Sequence, residues 1–201
     1  MIRNIVFDLG NVLLSFRPAD FLDKKGYPKE LKEQVLADVF GSREWLMLDN
    51  GDITTSEAME AISGKSLLKR EEIVRIFNLR HEILFPLDVN IKVLPALKKA
   101  GFKLYYLSNF PLDLWQDVKD YHFFNEFEGG LISADAKASK PEKRIYEMLM
   151  YKYDLDAREC LYIDDLEVNV NTAVLLGMKG ITTYGSLKIA EMINEALSDS
   201  D

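Results

Sequence analysis

Asp8 closes the apolar run Ile5-Val6-Phe7, Ser108-Asn109 follow Leu104-Tyr105-Tyr106-Leu107, Lys140 stands before Pro141, and Asp164-Asp165 follow Leu161-Tyr162-Ile163. Taken alone, each has an ordinary local use. An aspartate can end a strand in an Asx-turn, a serine can open a turn, an acid can cap a helix, and a lysine can sit in water. In one order along one chain they supply a carboxylate, a hydroxyl, an ammonium and an acid pair, groups able to hold an anion beside a hard cation. Nitrogen and sulfur ligands are scarce, with only His81, His122 and Cys160 in the sequence, so a zinc site of the usual kind is not expected. The oxygen ligands suit Mg2+, and Mn2+ equally.

Three apolar runs ending in these residues, separated by helical patterns, predict an α/β fold with a parallel sheet covered on both faces. Ligands bind such sheets beyond the carboxyl ends of the strands, where Asp8, Ser108-Asn109 and Asp164-Asp165 stand. Gly180-Ile181-Thr182-Thr183 reads as a fourth strand. Helices are expected over 89–100, 142–151 and 168–176, with Gly101 and Gly177 at helix ends and Pro141 at the first position of the second helix. A last helix is expected over 188–197 and a frayed tail over 198–201. Residues 16–86 break the rhythm, with helical patterns, no convincing strand, a capping-box spacing at Thr54 and Glu57, and a turn over 49–52. The expected organisation is a core domain from residues 1–15 and 87–201, with a small helical insertion over 16–86 that leans on it.

Bulk properties narrow the partners. The 201 residues are 48% hydrophobic and 29% charged, the balance of an ordinary globular protein. A formal charge of -8 repels phosphate-rich surfaces at long range, so neither nucleic acid nor an anionic membrane is an expected partner. It also means that a phosphate ligand in this acidic site needs a compensating cation. No apolar run reaches membrane-spanning length and none reads as an export signal, so a cytoplasmic location is expected. The single Cys160 permits no internal disulfide, and no feature assigns an oligomeric state.

The ordered set Asp8-Leu9-Gly10-Asn11-Val12, Leu107-Ser108-Asn109, Lys140-Pro141 with Ile145-Tyr146-Glu147, and Tyr162-Ile163-Asp164-Asp165 with Asn169 resembles the haloacid dehalogenase (HAD) superfamily over essentially the whole chain. The resemblance implies a HAD-like Rossmannoid parallel sheet with a small α-helical cap inserted after the first motif. It implies a phosphatase of a small phosphorylated metabolite, with Asp8 as the nucleophile that becomes an aspartyl-phosphate. Asp8, the Gly10 carbonyl, Asp165 and Asp164 would be the Mg2+ site. Ser108 and the Asn109 amide would hold phosphoryl oxygens, and Lys140 would offset the charge shared by Asp8 and the phosphate.

One position departs from the pattern. Most phosphatases of that superfamily carry a second aspartate two residues after the nucleophile, as the general acid and base, and here Gly10 stands there. A positioned acid-base group is worth about 10²- to 10⁴-fold in rate. Two compensations are open. The leaving oxygen could need little protonation, as in a sugar 1-phosphate, a substrate class of members that share the Asp-Leu-Gly-Asn-Val opening. Alternatively the insertion could supply the acid, with Asp49, Asp52 and Glu44 as candidates. Trp45 reads either as a stacking floor for a sugar or, more simply, as core, and Asn11 reads as a turn residue. The competing functions are a 2-haloacid dehalogenase, for which the retained acid pair is a poor neighbour, and a catalytically impaired binding or regulatory protein, against which intact Asp8, Lys140 and Asp165 argue.

Overall fold

Side chains in an extended strand alternate between the two faces of its sheet, and here both faces are apolar. In the computed structural model, which describes residues 1–198, Ile5, Phe7, Leu104, Leu161 and Ile163 pack with Leu94, Leu97, Leu114 and Ile193. Val6, Tyr105, Leu107, Cys160 and Tyr162 point the other way, against Ile145, Leu149, Val170 and Ala173. The uninterrupted apolar runs follow from this two-sided burial. The strands β1 (Asn4–Phe7), β2 (Lys103–Ser108), β3 (Gly129–Ile132), β4 (Cys160–Asp164) and β5 (Lys179–Thr182) form one sheet in the order β3-β2-β1-β4-β5. All neighbours are parallel. β1 is central, with Phe7 opposite Tyr106 on one side and Ile163 on the other, so Asp8, Ser108 and Asp164-Asp165 emerge at one edge. The tail expected over 198–201 falls, beyond Ser198, outside the described residues.

Helices α1 (Pro18–Lys24), α2 (Lys29–Val35), α3 (Arg43–Asp49), α4 (Thr55–Ser63) and α5 (Arg70–Leu79) lie between β1 and β2 in the chain. They enclose an apolar cluster of their own that includes Phe21, Leu22, Val39, Trp45, Leu48, Ile62, Ile73 and Phe77. The chain enters and leaves this unit through paired segments, with Ser15 N donating to Phe85 O and Leu87 N to Leu13 O, both at 2.8 Å. At the start of α4 the capping box is present, with Thr54 N donating to Glu57 Oε2 at 2.7 Å and Glu57 N to Thr54 Oγ1 at 3.3 Å.

After the insertion come α6 (Asp88–Ile91), α7 (Leu94–Lys99), α8 (Leu112–Val118), α9 (Ser133–Ala136), α10 (Lys143–Tyr153), α11 (Glu167–Leu175) and α12 (Ile189–Ser198). Three details differ from the sequence reading. The helix expected over 89–100 is two helices, because Pro95 lacks an amide and sits in the first turn of a new helix, α7. Pro141 does not start α10; it lies in a turn closed by Glu142 N donating to Ser139 O at 2.9 Å, and the helix begins at Lys143. Strand β3 was not anticipated, since Gly129-Gly130 weakens the strand signal. The structure supplies the reason for Gly130: a Cβ there would lie 2.3 Å from the Tyr106 ring on β2. Gly130→Ala is therefore expected to lower stability by about 1–3 kcal/mol, the usual range for overpacking, read as a lower urea midpoint. An unchanged midpoint would show that the Tyr106 ring has room to move aside.

Candidate active site

At the carboxyl end of β1 the Asp8 carboxylate is gripped through one oxygen. Oδ1 accepts from the Lys140 ammonium at 2.8 Å, from Ser108 Oγ at 2.8 Å and from the Leu9 amide at 2.7 Å. No donor among the described residues reaches Oδ2. The group is thus fixed in rotation with one oxygen uncommitted. Asp8, Asp164 and Asp165 each present a carboxylate oxygen, all within 4.8 Å of one another. An all-oxygen set this close fits a hard divalent cation. Gly10 lines the same cavity, and its carbonyl accepts no hydrogen bond from the described residues.

Lys140 lies between two acids, 2.8 Å from Asp8 and 2.7 Å from Asp164 Oδ2. Burial works against its ammonium, but Asp164 and Asp8 outweigh burial, so it stays charged with a raised pKa. Asp164 is wholly buried and saturated. It accepts from Lys140, from Tyr162 Oη at 2.6 Å, from the Leu166 amide at 2.9 Å and from Asn169 Nδ2 at 3.0 and 3.1 Å. Burial alone would raise its pKa; Lys140 and these donors more than offset that, and the carboxyl sits below its ordinary value. Both Asp164 oxygens thus already accept hydrogen bonds, which ties Asp164 to Lys140 and leaves it less open to a cation than Asp8 or Asp165. Asp8 goes the other way, pushed up to about 7 by burial and by its acidic neighbours Asp164 and Asp165, against the pull of Lys140. Asp165 is raised by burial as well, opposed by the Asn11 amide, which donates to Oδ2 at 3.1 Å.

The expected residues Asp8, Gly10, Ser108, Asn109, Lys140 and Asp165 all line one cavity of about 350 Å³, and Asp164 sits beneath it. Several contributors were not anticipated. The Asn109 side chain clasps the Lys140 backbone, Nδ2 donating to Lys140 O at 2.9 Å and Oδ1 accepting from Lys140 N at 2.8 Å. Its backbone amide makes no hydrogen bond among the described residues and is available to an anion. Asn11, at φ 53°, shapes the turn as expected, and in addition steadies Asp165 and accepts from Phe16 N at 3.0 Å. Tyr162 could have been found from the sequence, since it lies two residues before Asp164 on one strand and so shares its face. Trp45 is both core and cavity wall: it is 4% exposed, packs on Phe16, Phe40 and Phe77, and lines the cavity. Of the candidate acids in the insertion, Asp49 lines the cavity, whereas Glu44 is held by Lys65 and Asp52 is exposed beside Asn50.

The profile of the haloacid dehalogenase-like hydrolases matches residues 2–177. A sesquiterpene phosphatase of Aspergillus oryzae is 26% identical over 183 residues, covering 90% of this chain and 90% of its own. A HAD family enzyme of Bacteroides thetaiotaomicron, solved with magnesium and inorganic phosphate, aligns with TM-score 0.69 at 25% identity over 90% of this chain and 94% of its own. L-2-haloacid dehalogenase of Xanthobacter autotrophicus, with chloropropionic acid covalently bound, shares the fold at TM-score 0.69 and 20% identity, covering 100% of this chain and 84% of its own.

The two acids on Lys140 give a test of what the lysine supplies. Removing one partner of a buried ion pair costs about 3–5 kcal/mol, so Lys140→Met is expected to be destabilised on that scale. A folded-state carboxyl raised above its unfolded value contributes stability that is full below the unfolded pKa and lost as pH rises through the folded one. With Asp8 at about 7 even with Lys140 present, the deficit of Lys140→Met in urea unfolding should be larger at pH 8 than at pH 5. Equal deficits at both would mean that packing, not charge, is what the lysine provides.

Proposed function

The chain belongs to the haloacid dehalogenase-like hydrolase family, and from that membership we propose a magnesium-dependent phosphatase that works through a phosphorylated Asp8. The supporting observation is the Asp8 carboxylate on the cavity wall, one oxygen pinned by Lys140, Ser108 and Leu9, the other uncommitted, with Asp165 close enough to share a cation. An Asp8 oxygen forms a bond to phosphorus as the ester P–O bond breaks. Water then attacks phosphorus, the bond to Asp8 breaks, and inorganic phosphate leaves. Lys140 faces the charge that collects on Asp8 and the phosphoryl oxygens, while Ser108 and the Asn109 amide are the donors for those oxygens. Asp8, Asp165 and the Gly10 carbonyl would hold Mg2+, or Mn2+, which when bound neutralises charge that the acids and the phosphate bring together. The helices over residues 18–83 serve as a cap that bounds the leaving-group side.

We read the substrate as a small phosphate monoester with an apolar organic group. Away from the acids the cavity is walled by Phe16, Phe40, Trp45, Leu84, Phe110 and Leu114. The amides that line it are already committed: Asn11 to Asp165, Asn109 to the Lys140 backbone and Asn169 to Asp164. Few groups remain for the hydroxyls of the sugar 1-phosphate that Gly10 suggests. The name of the Aspergillus relative, a sesquiterpene phosphatase, agrees with an apolar substrate. The deeply held Asp164–Lys140 pair argues against dehalogenation, because a carboxylate substrate would meet an acid cluster with its one ammonium already shared.

Phosphate release from a prenyl or alkyl monophosphate, a sugar 1-phosphate, a sugar 6-phosphate and p-nitrophenyl phosphate tests this reading. The expected result is metal-dependent turnover that favours the apolar ester and falls by at least about 10³-fold in Asp8→Asn, the scale for loss of a covalent nucleophile. Preference for a sugar 1-phosphate would overturn the apolar reading alone. Full activity in Asp8→Asn, or chloride release from 2-chloropropionate instead of phosphate release, would overturn the phosphatase.

A further inference from the structure

An unactivated alcohol leaves slowly as an alkoxide, and Gly10 offers no side chain to protonate it. Space does not explain the glycine. A Cβ at Gly10 would meet only Asp8 Oδ2, at an ordinary 3.9 Å. The acid must come from elsewhere on the cavity wall, and among the lining residues outside the Asp8, Lys140 and Asp165 cluster only Asp49 carries an ionisable side chain.

Resting on the phosphatase reading, we propose that Asp49, at the end of α3, is the general acid and base of this site, supplied by the helical insertion in place of a residue at Gly10. As Asp8 bonds to phosphorus and the ester P–O bond breaks, the neutral Asp49 carboxyl gives its proton to the departing oxygen, which leaves as the alcohol. In the second step the Asp49 carboxylate takes a proton from the attacking water while the phosphorus–Asp8 bond breaks, which returns Asp49 to its neutral form.

Three observations support the assignment. First, Asp49 is anchored to the sheet domain although it belongs to the insertion. Its backbone carbonyl accepts from Ser133 Oγ, which in turn accepts from the Phe110 amide at 2.9 Å. Two residues on, the Gly51 carbonyl accepts from Lys137. Gly51 has φ 67°, and a Cβ there would lie 2.8 Å from Ala134 O, so the close approach of the two units depends on that glycine. Second, the Asp49 carboxylate receives no hydrogen bond and forms no ion pair with the described residues. Charged groups on the elements packed around α3 are engaged elsewhere or exposed: Asp38 binds Ser66, Glu57 caps α4, Glu60 pairs with Arg70, and Asp135 is exposed. Third, desolvation pushes the Asp49 carboxyl up to about 7, where one group can both give and take a proton near neutral pH.

The test uses the full chain with Mg2+ and compares an alkyl monophosphate, whose leaving oxygen needs a proton, with p-nitrophenyl phosphate, whose leaving oxygen does not. Asp49→Asn is expected to lose about 10²- to 10³-fold in kcat on the alkyl ester. With p-nitrophenyl phosphate it should release one nitrophenolate per active site in a fast burst and then turn over slowly, because only the second step still lacks its base. Gly10→Asp in the Asp49→Asn background should regain activity on the alkyl ester. Turnover of the alkyl ester by Asp49→Asn within twofold of wild type would overturn the assignment while leaving the phosphatase intact. Equal slowing of the burst and of alkyl-ester turnover would also overturn it, since that pattern marks a purely structural role. Failure of the underlying reading shows separately, as undiminished turnover by Asp8→Asn.

Discussion

The site depends on one buried ammonium between two carboxylates. Asp8 and Asp164 hang from neighbouring strands and are both buried, and two such charges without a counter-charge would not both persist at neutral pH. Lys140, touching both, allows Asp164 to stay ionised and keeps Asp8 within reach of ionisation. It comes from a loop rather than from the sheet, and that loop needs its own restraint. The Asn109 side chain supplies it by pairing with both the amide and the carbonyl of Lys140. Ser108 and Asn109 therefore divide the work of one turn: the first fixes Asp8, the second fixes its counter-charge.

The parallel sheet makes this arrangement reachable from short sequence segments. Because β1 lies between β2 and β4, residues about 100 and 156 positions from Asp8 arrive beside it merely by ending their strands in register. That geometry is written in apolar runs ending in polar residues, which is why the main strands, the flanking helices and the positions of Asp8, Ser108 and Asp164-Asp165 were legible in the sequence, while Lys140, on a loop, was found through its place before Pro141 and the family resemblance. What was not legible depends on tertiary neighbours. Gly129-Gly130 gives no clear strand signal by itself, and the need for glycine there appears only once Tyr106 is known to lie across Gly130. Pro141 reads as a helix start until the turn over 139–142 is seen to precede it. The second uses of Asn11 and Asn109 are invisible for the same reason, since an amide's partners in another strand or loop leave no local signal.

The helical insertion shows the same limit from the other side. Its helices and the Thr54 capping box follow from local pattern, but nothing local distinguishes Asp49, Asp52 and Glu44 as candidate acids. The distinction comes from packing. Glu44 has found Lys65, Asp52 is exposed beside Asn50, and Asp49 lines the cavity with no partner for its carboxyl among the described residues. Asp49 is half-buried and desolvation raises its carboxyl to about 7, so holding it ionised costs the folded state free energy as pH rises toward that value.

Chemistry and specificity then separate along the cavity. One end is all oxygen and charge, built on the sheet and rigid through shared hydrogen bonds. The other is aromatic and aliphatic, built largely from the insertion and from the residues after β2. Sites of this kind derive orientation from the polar end and selectivity from the apolar one, because an apolar wall discriminates by shape while committed amides reject hydroxyls that they cannot satisfy. Asp49 stands in both halves, belonging to the insertion by chain and to the polar end by chemistry. Its carbonyl is tied to Ser133, and Ser133 to the Phe110 amide, so the apolar wall and the acid are set by the same contacts. If Asp49 is the acid proposed above, an insertion that shifted to admit a bulkier organic group would carry that acid with it, and the choice of leaving group would be coupled to its protonation.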